Sequence, residues 1–430
     1  LARGLEQAGV PIIGTSVDTI DTAEDRELFS SLIDELGLRQ PPSGIARNMD
    51  EARVEAKRIG YPALVRPSFV LGGRAMEICY DHSQFARYVA EAFIVADGQP
   101  VLIDRFLEDA TEVDVDAISD GNDCVIMGIM EHIEEAGVHS GDSACCIPPF
   151  SLTQPVLAEI RDATRKLAAR LNVVGLMNIQ FAVKMEGTQP TLYILEVNPR
   201  ASRTVPFVAK ATGVPVANIA TKVMAGETLQ KLNVTEEPIP RHVSIKESVL
   251  PFRKFAGVDI VLGPEMRSTG EVMGVSELFS IAFAKSQLAA GTVLPESGKI
   301  FLSLSANHKE SAESLGKSLI ELGFELLATE GTAVRLEESG VAVTRVKKLS
   351  EGHPNLIDYL KNDDVQLILN TPSGKGARTD EGKIRAAGVQ HGVPCITTLA
   401  AAEAAVRAMV AMRDTPMEVE SLQRRYAQNA

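Results

Sequence analysis

From Lys299 to the C-terminus the apolar residues keep switching between two periods, and that alternation restricts the fold more than any other feature of the chain. Residues 300–304 (IFLSL) read as a strand, and Ala312, Leu315, Leu319 and Leu322 follow at helical spacing. A strand at 324–328, a short helix at 333–338 and a strand at 341–346 come next. A helix at 356–360, a strand at 365–370, a helix at 381–388, a strand at 395–398 and a long Ala-rich helix complete the series. Strands alternating with helices build βαβ units, so a parallel, doubly wound sheet is predicted. Such sheets hold ligands beyond the carboxyl ends of their strands.

At 430 residues the chain exceeds one ordinary core, and two or three domains are expected. Residues 1–25 read as the tail of a preceding α/β unit ending in a strand at 10–13, and the start at Leu1 suggests a cut from something larger. Residues 26–225 mix strands and helices in an α+β pattern and carry nearly all the chemically suggestive motifs. Residues 226–291 form a less regular connector punctuated by Pro238, Pro240, Pro251 and Pro264, and residues 292–430 form the parallel unit. The net charge of −14 argues against a nucleic-acid partner, which needs a basic face, so any anionic ligand must be held by a local cluster of donors. Five cysteines form no CxxC pair, and adjacent Cys145 and Cys146 are poorly placed to bridge, which fits a reducing cytoplasm. No apolar run of about 18 residues and no signal-peptide pattern is present, so neither membrane insertion nor export is expected.

Four segments carry the chemistry. In 193–200 (YILEVNPR), period-two alternation puts Ile194, Glu196 and Asn198 on one face and Leu195 and Val197 on the other. A carboxylate and an amide two residues apart suit a hard divalent cation such as Mg²⁺, which takes oxygen ligands and keeps sites for substrate phosphates. Arg200 and Arg203 follow at once, with planar guanidinium forks that can grip phosphoryl oxygens. Upstream, 178–184 (NIQFAVK) is a second alternating strand, and if the two pair, Gln180 supplies a further oxygen. The segment 65–76 runs from a strand ending at Arg66 into a loop with Gly72 and Gly73, where backbone amides can approach phosphate closely. In 111–118, Glu112, Asp114 and Asp116 share a face; three carboxylates in a row repel unless solvated, metal-bound or paired, and the segment reads as a solvated edge strand. The fourth segment, 131–143, holds two histidines and four carboxylates without a familiar zinc spacing. There His139 beside Ser140 is placed to bond a nucleotide, whereas His132 reads as structural.

The strings RPSFVLGGRAMEI, EVDVDAI, GIMEHIEEAGVHSGDSA, LMNIQFAVK, EVNPRASRTVPFVAKATGVP and LGPEMRSTGEVMG resemble the carbamoyl-phosphate synthase large-subunit family, in its second ATP-grasp half, and the resemblance runs the length of the chain. It implies an ATP-grasp fold for 26–225 and a methylglyoxal-synthase-like effector domain for 292–430. It further implies that Arg26, Arg66, Arg105, Leu107, Glu112, Gly137, Val138, His139, Ser140, Gln180 and Glu196 bind ATP. Gln180, Glu196 and Asn198 would hold Mg²⁺ or Mn²⁺, with K⁺ as an accessory ion, and Arg200 and Arg203 would act on the transferred phosphoryl group or the carbamate.

The same resemblance assigns Ser303, Lys309, Thr329, Thr332, Lys348 and Asn370 to a regulatory nucleotide such as UMP or IMP. Pro372 departs from relatives that have a threonine donor there. Glu134, Asp142, Glu247 and Thr397 are assigned to an amino-acid effector, ornithine. Implied partners are an N-terminal half of the large subunit and a glutaminase small subunit, in an oligomeric enzyme serving pyrimidine and arginine synthesis. Competing readings are an ATP- and effector-binding module without turnover, another ATP-grasp ligase of the biotin-carboxylase kind, and a methylglyoxal synthase activity in the last unit. The stretch 185–191 reads as a lengthened hairpin that leaves the metal strand intact.

Overall fold

A computed structural model describes residues 1–67, 74–255, 257–371 and 379–427, with the backbone alone for Asn307. The Gly72–Gly73 loop and Pro372 therefore lie outside the described residues. The chain divides into two compact units. One comprises 1–243, 263–266 and 420–430, the other 244–262 and 267–419.

The first unit opens with helices α1 (Ala2–Gln7), α2 (Val17–Glu24) and α3 (Arg26–Glu35). No strand forms at 10–13, contrary to expectation: Val10 is 46% and Ile13 75% exposed, and no strand among the described residues pairs with them. Apolar content alone does not make a strand without a neighbour to complete its hydrogen bonds. The Asp25 side chain caps α3 by accepting from the amides of Glu27 and Leu28, and this fixes Arg26 at the helix start.

A small four-stranded sheet follows, ordered β1 (Ser43–Ala46), β4 (Val101–Arg105), β2 (Ala63–Pro67), β3 (Glu77–Cys79). It is backed by α4 (Met49–Ile59) and α5 (His82–Ala96), whose buried faces close a core around Val65, Phe85, Val89 and Ile103. The larger sheet of this unit is antiparallel, in the order β7 (Cys145–Ile147), β6 (Cys124–His132), β5 (Thr111–Asp120), β8 (Val174–Glu186), β9 (Gln189–Asn198). Helix α6 (Gln154–Arg170) packs Val156, Ile160 and Leu167 on one face of it, against Val113, Val115, Ile179 and Phe181. The opposite face carries the polar residues of interest. Helices α7 (Val205–Thr212) and α8 (Val216–Met224) follow.

Residues 185–191 form the expected hairpin, since β8 and β9 stay paired out to Glu186↔Gln189 around a tight turn at Gly187. The stretch read as a connector is more ordered than its prolines suggested. It contains β10 (Val243–Val249), β11 (Gly270–Ser276) and α9 (Phe279–Ala289), with Pro238, Pro240, Pro251 and Pro264 all falling between elements, where a missing N–H costs nothing.

In the second unit a five-stranded sheet is parallel throughout, ordered β14 (Thr344–Val346), β13 (Glu325–Thr329), β12 (Lys299–Ser303), β15 (Leu367–Asn370), β16 (Cys395–Ile396). Helices α10 (Ala312–Glu321), α11 (Glu330–Glu338), α12 (Leu356–Lys361), α13 (Asp380–Gln390) and α14 (Leu399–Asp414) alternate with these strands, as the periodicity predicted. Strand order reverses between β12 and β15, where Ser303 faces Asn370 across the ladder. That crevice is the ligand position of a doubly wound sheet. A last short helix, α15 (Leu422–Ala427), belongs to the first unit. No helix among the described residues is long and apolar enough to cross a membrane, and all five cysteines are free.

Candidate active site

The site is built on the face of β5, β8 and β9 that turns away from α6. Pairing puts Gln180 opposite Glu196 and Asn178 opposite Asn198, so the cation donors read from sequence do meet across one ladder. The face assignment of β9 needs a correction. A bulge at Leu195 breaks the alternation between Ile194 and Glu196. Ile194 is therefore buried in the core with Val197, while Leu195 turns to the other side and packs near Leu107, Ala110 and Ala182.

Glu196 Oε1 accepts from Asn198 Nδ2 at 2.9 Å, and Asn198 Oδ1 accepts from Arg200 Nη2 at 3.0 Å. Gln180 Nε2 donates to Ser140 Oγ at 3.1 Å, which leaves its carbonyl oxygen as the group to offer a cation. Among the described residues no three His, Cys, Asp or Glu side chains gather to hold a metal. One carboxylate with two amide oxygens is a donor set that suits Mg²⁺ or Mn²⁺, and it lacks the imidazole and thiolate ligands from which zinc sites are mostly built.

Two arginines stand over a shared carboxylate. Arg26 Nη2 donates to Asp104 Oδ1 at 2.6 Å, and Arg66 Nη2 approaches Asp104 Oδ2 at 3.1 Å. The Nε atoms of both are buried with no hydrogen-bond partner among the described residues. Two guanidinium charges against one carboxylate leave a net positive charge and buried donors, which an anionic ligand would satisfy. Burial pushes the Arg26 guanidinium below its ordinary value while Asp104 resists, and Glu196 is among the charges acting on it. Asp104 was not singled out from the sequence; its signal was only its place beside Arg105 in a strand. Arg105 itself donates to the Tyr61 carbonyl, and Leu107 is buried in the small apolar cluster beside β8 and β9.

The expectation that 111–118 is a solvated edge is overturned. β5 is an interior strand of its sheet, and Asp114 and Asp116 are 2% and 1% exposed. Asp114 sits 2.9 Å from His132 Nε2, and Glu112 lies 3.6 Å from the other ring nitrogen. Burial works against a charge on His132, but the Cys145 sulfur and Asp114 outweigh it and hold its pKa well above the ordinary value. Glu112 Oε1 accepts the Gly137 amide at 3.1 Å, although burial raises the Glu112 carboxyl above its usual range. Gly137 has φ +100°, and a Cβ there would lie 2.8 Å from the Phe106 ring, so the close loop over Glu112 requires glycine.

Asp116 accepts from Asn178 at 3.0 Å and from the Ser202 and Thr204 hydroxyls at 2.7 Å each; burial raises its carboxyl to about 6. Sequence reasoning missed this, because Ser202 and Thr204 lie more than 80 residues away in the chain.

The loop of Val138, His139 and Ser140 closes the far side. The His139 amide donates to the Gly263 carbonyl at 2.8 Å, and Nδ1 accepts from the Gly141 amide at 2.9 Å. Burial lowers the His139 pKa, with Arg203 adding to the effect. Arg200 and Arg203 are exposed at the mouth.

The residues assigned to an amino-acid effector fall in both units. In the first, Glu134 Oε2 accepts from Ser143 Oγ and the Ala144 amide at 2.7 and 2.6 Å, and Asp142 is 1% exposed. In the second, Glu247 Oε2 accepts from Gln287 at 2.5 Å, and Thr397 follows β16.

At the β12–β15 crevice Thr329 Oγ1 donates to Ser303 Oγ at 3.3 Å, and Lys309 Nζ lies close over Gly331 at the start of α11. Lys348 lies just beyond β14, its amide bonded to Glu351. Thr332 and Asn370 are buried and engaged. Thr332 accepts the Leu304 amide, while Asn370 donates to the Ser303 carbonyl and accepts from Arg385.

A family described as carbamoyl-phosphate synthase L chain, ATP binding domain, matches residues 25–232, and the MGS-like domain matches residues 311–397. The carbamoyl phosphate synthase large chain of Rhodopirellula baltica is 98% identical over 429 residues, covering all of this chain and 40% of that protein. The large chain of Archaeoglobus fulgidus is 54% identical over 424 residues, covering 98% of this chain and 39% of its own. The chain thus spans about 40% of the length of these curated relatives. Among solved structures, the biotin carboxylase domain of Hydrogenobacter thermophilus 2-oxoglutarate carboxylase, in complex with MgADP, ADP and bicarbonate, aligns with a TM-score of 0.55. At 21% identity, with 67% of this chain and 70% of that one covered, it shows the fold alone.

Proposed function

Because the chain belongs to the ATP-grasp ligase family of carbamoyl-phosphate synthase large chains, we propose that its first unit transfers the γ-phosphoryl group of ATP to carbamate, giving carbamoyl phosphate and ADP. The observation that carries the reading is the in-register pairing of Gln180 with Glu196 alongside an arginine pair whose buried Nε donors lack partners among the described residues. Phosphoryl transfer needs little covalent help from a protein; positioning and neutralisation of the transferring group supply most of the effect.

In this reading Arg26 and Arg66 bind the outer phosphates, and Glu112, Arg105, Leu107 and the 137–140 loop bind the nucleoside. Gln180, Glu196 and Asn198 would hold Mg²⁺ or Mn²⁺, which would supply charge neutralisation for the phosphates. Arg200 and Arg203 orient the carbamate, whose oxygen attacks the γ-phosphorus directly, so no protein nucleophile is required. Residues 26–225 are read as the synthetic domain, 226–291 as its connector and 292–430 as the effector domain, although the compact units themselves divide at 243. Ser303, Lys309, Thr329, Thr332, Lys348 and Asn370 serve a nucleotide effector such as UMP or IMP, and Glu134, Asp142, Glu247 and Thr397 serve ornithine. The complete enzyme adds an N-terminal half and a glutaminase subunit, works in the cytoplasm, and feeds pyrimidine and arginine synthesis.

The reverse reaction tests this on the chain alone: carbamoyl phosphate and MgADP should yield ATP, and Glu196→Ala should reduce that rate at least 100-fold, on the order expected when a charge-neutralising group is lost. Undiminished ATP formation by Glu196→Ala refutes the cation assignment. Nucleotide binding without any turnover favours the binding-module reading.

A further inference from the structure

Between the cation strands and the exposed arginines lies a buried carboxylate to which the family resemblance gave no role. Asp116 is 1% exposed, and both of its oxygens are used. Oδ1 accepts from Ser202 Oγ at 2.7 Å and Asn178 Nδ2 at 3.0 Å, while Oδ2 accepts from Thr204 Oγ1 at 2.7 Å. Ser202 and Thr204 also bond each other at 2.7 Å, so the pair brackets Arg203 and clamps the chain where it enters α7. Asn178, the third donor, stands opposite Asn198 on the cation hairpin.

We propose that Asp116 is a positioning residue for phosphoryl transfer, fixing loop 199–204 to the cation hairpin so that Arg200 and Arg203 are aimed before substrate arrives. The proposal rests on the reaction assigned above. Arg200 and Arg203 are long, exposed side chains, and their heads can be no better placed than the backbone beneath them. Two short bonds, from Ser202 and Thr204, to one buried acceptor hold that backbone at two points either side of Arg203, a third from Asn178 ties the acceptor to β8, and bonds to an ionised acceptor are shorter and stronger than neutral ones. A neutral hydroxyl or amide in place of Asp116 would avoid burying a charge, but it could not accept three bonds at both ends of one group.

The test is Asp116→Asn, which keeps the shape but removes the charge and leaves one accepting oxygen where there were two. Two readouts are taken on the whole chain: amide hydrogen exchange of 199–204 without ligand, and kcat and KM for ADP in ATP formation from carbamoyl phosphate. Exchange in 199–204 should rise at least tenfold while the α6 amides are unchanged. The kcat should fall roughly 30- to 100-fold, the range expected for a misplacement of about 1 Å, with KM for ADP within about threefold of the original. Ser202→Ala with Thr204→Val should cost the same kcat, and adding Asp116→Asn to it should cost little more, because the three act as one unit. Unchanged exchange, an undiminished kcat, or additive losses overturn the proposal, and so does a loss spread equally over kcat and ADP binding. If Asp116→Asn does not fold, the Ser202/Thr204 variant decides by the same readouts. Should the unaltered chain form no ATP, the reaction assignment fails, while the exchange measurement still decides whether Asp116 orders the loop.

Discussion

Replacing Asp259 by alanine should destabilise the second unit by about 3 kcal/mol and weaken its crevice. Arg385, on α13, is fully buried, and its Nε and Nη2 donate to the two Asp259 oxygens at 2.7 Å each. Its remaining nitrogen donates to Asn370 Oδ1 at 2.7 Å. Deleting one partner of a buried ion pair typically costs about 3–5 kcal/mol, because the surviving charge is stranded away from water. Here the Glu381 carboxylate at 4.0 Å from Arg385 gives partial compensation, which places the expectation at the lower end, about 3 kcal/mol. The chain has no tryptophan, so intrinsic indole fluorescence cannot follow the change. Native-state hydrogen exchange can: β12 and β15 amides, protected by the unit's global stability, should exchange roughly 100- to 200-fold faster. Combining Asp259→Leu with Arg385→Met removes both charges and should recover most of the loss. Since Asn370 spans Arg385 and the Ser303 carbonyl, the single variant should also bind UMP or IMP less tightly. A change in exchange below about fivefold, or a double variant worse than the single, would show that the pair does not hold this unit together.

Two other expectations follow from particular contacts. The Asp116 carboxyl stands near 6 in the fold against an ordinary 3.8, so between these values the folded protein holds a proton that the unfolded chain has released. Its contribution therefore favours folding at pH 4 and is lost as pH rises through 6; native protein should lose about 2 kcal/mol relative to Asp116→Asn between pH 4 and 7, and a flat difference in denaturant titrations would contradict the burial argument. At Gly213, with φ +76°, a Cβ would fall 2.8 Å from the Tyr426 ring of α15. Gly213→Ala should cost about 1–2 kcal/mol and hasten tryptic cleavage at Arg424 and Arg425; in a Tyr426→Ala background only the backbone strain, about 1 kcal/mol, should remain.

The parallel unit was legible because each strand and helix announces itself by its own period, as in 299–303 followed by Ala312, Leu315 and Leu319. The β8–β9 hairpin was legible for the same reason, and its register then brought Gln180 to Glu196. What periodicity could not reveal was the bulge at Leu195, which shifts the alternation by one residue and exchanges the faces of Ile194 and Leu195. Nor could it show that three alternating carboxylates on β5 lie inside a sheet. That depends on His132, Asn178, Ser202 and Thr204, donors that converge only after folding. Asp104 was overlooked on similar grounds, since a lone aspartate in a short strand carries no local sign of the two arginines it joins. The strand expected at 10–13 failed in the opposite sense: a local apolar run had no partner strand among the described residues.

The central claim is that β8 and β9 present a divalent-cation site to a nucleotide whose outer phosphates meet Arg26 and Arg66. A crystal structure with Mn²⁺ and a non-hydrolysable ATP analogue, read by the anomalous signal of manganese, tests it most directly. The peak should lie about 2.0–2.3 Å from a Glu196 carboxylate oxygen and from Gln180 Oε1 or Asn198 Oδ1, bridging phosphate oxygens. Manganese bound elsewhere, or a nucleotide whose phosphates leave both arginines untouched, would contradict it.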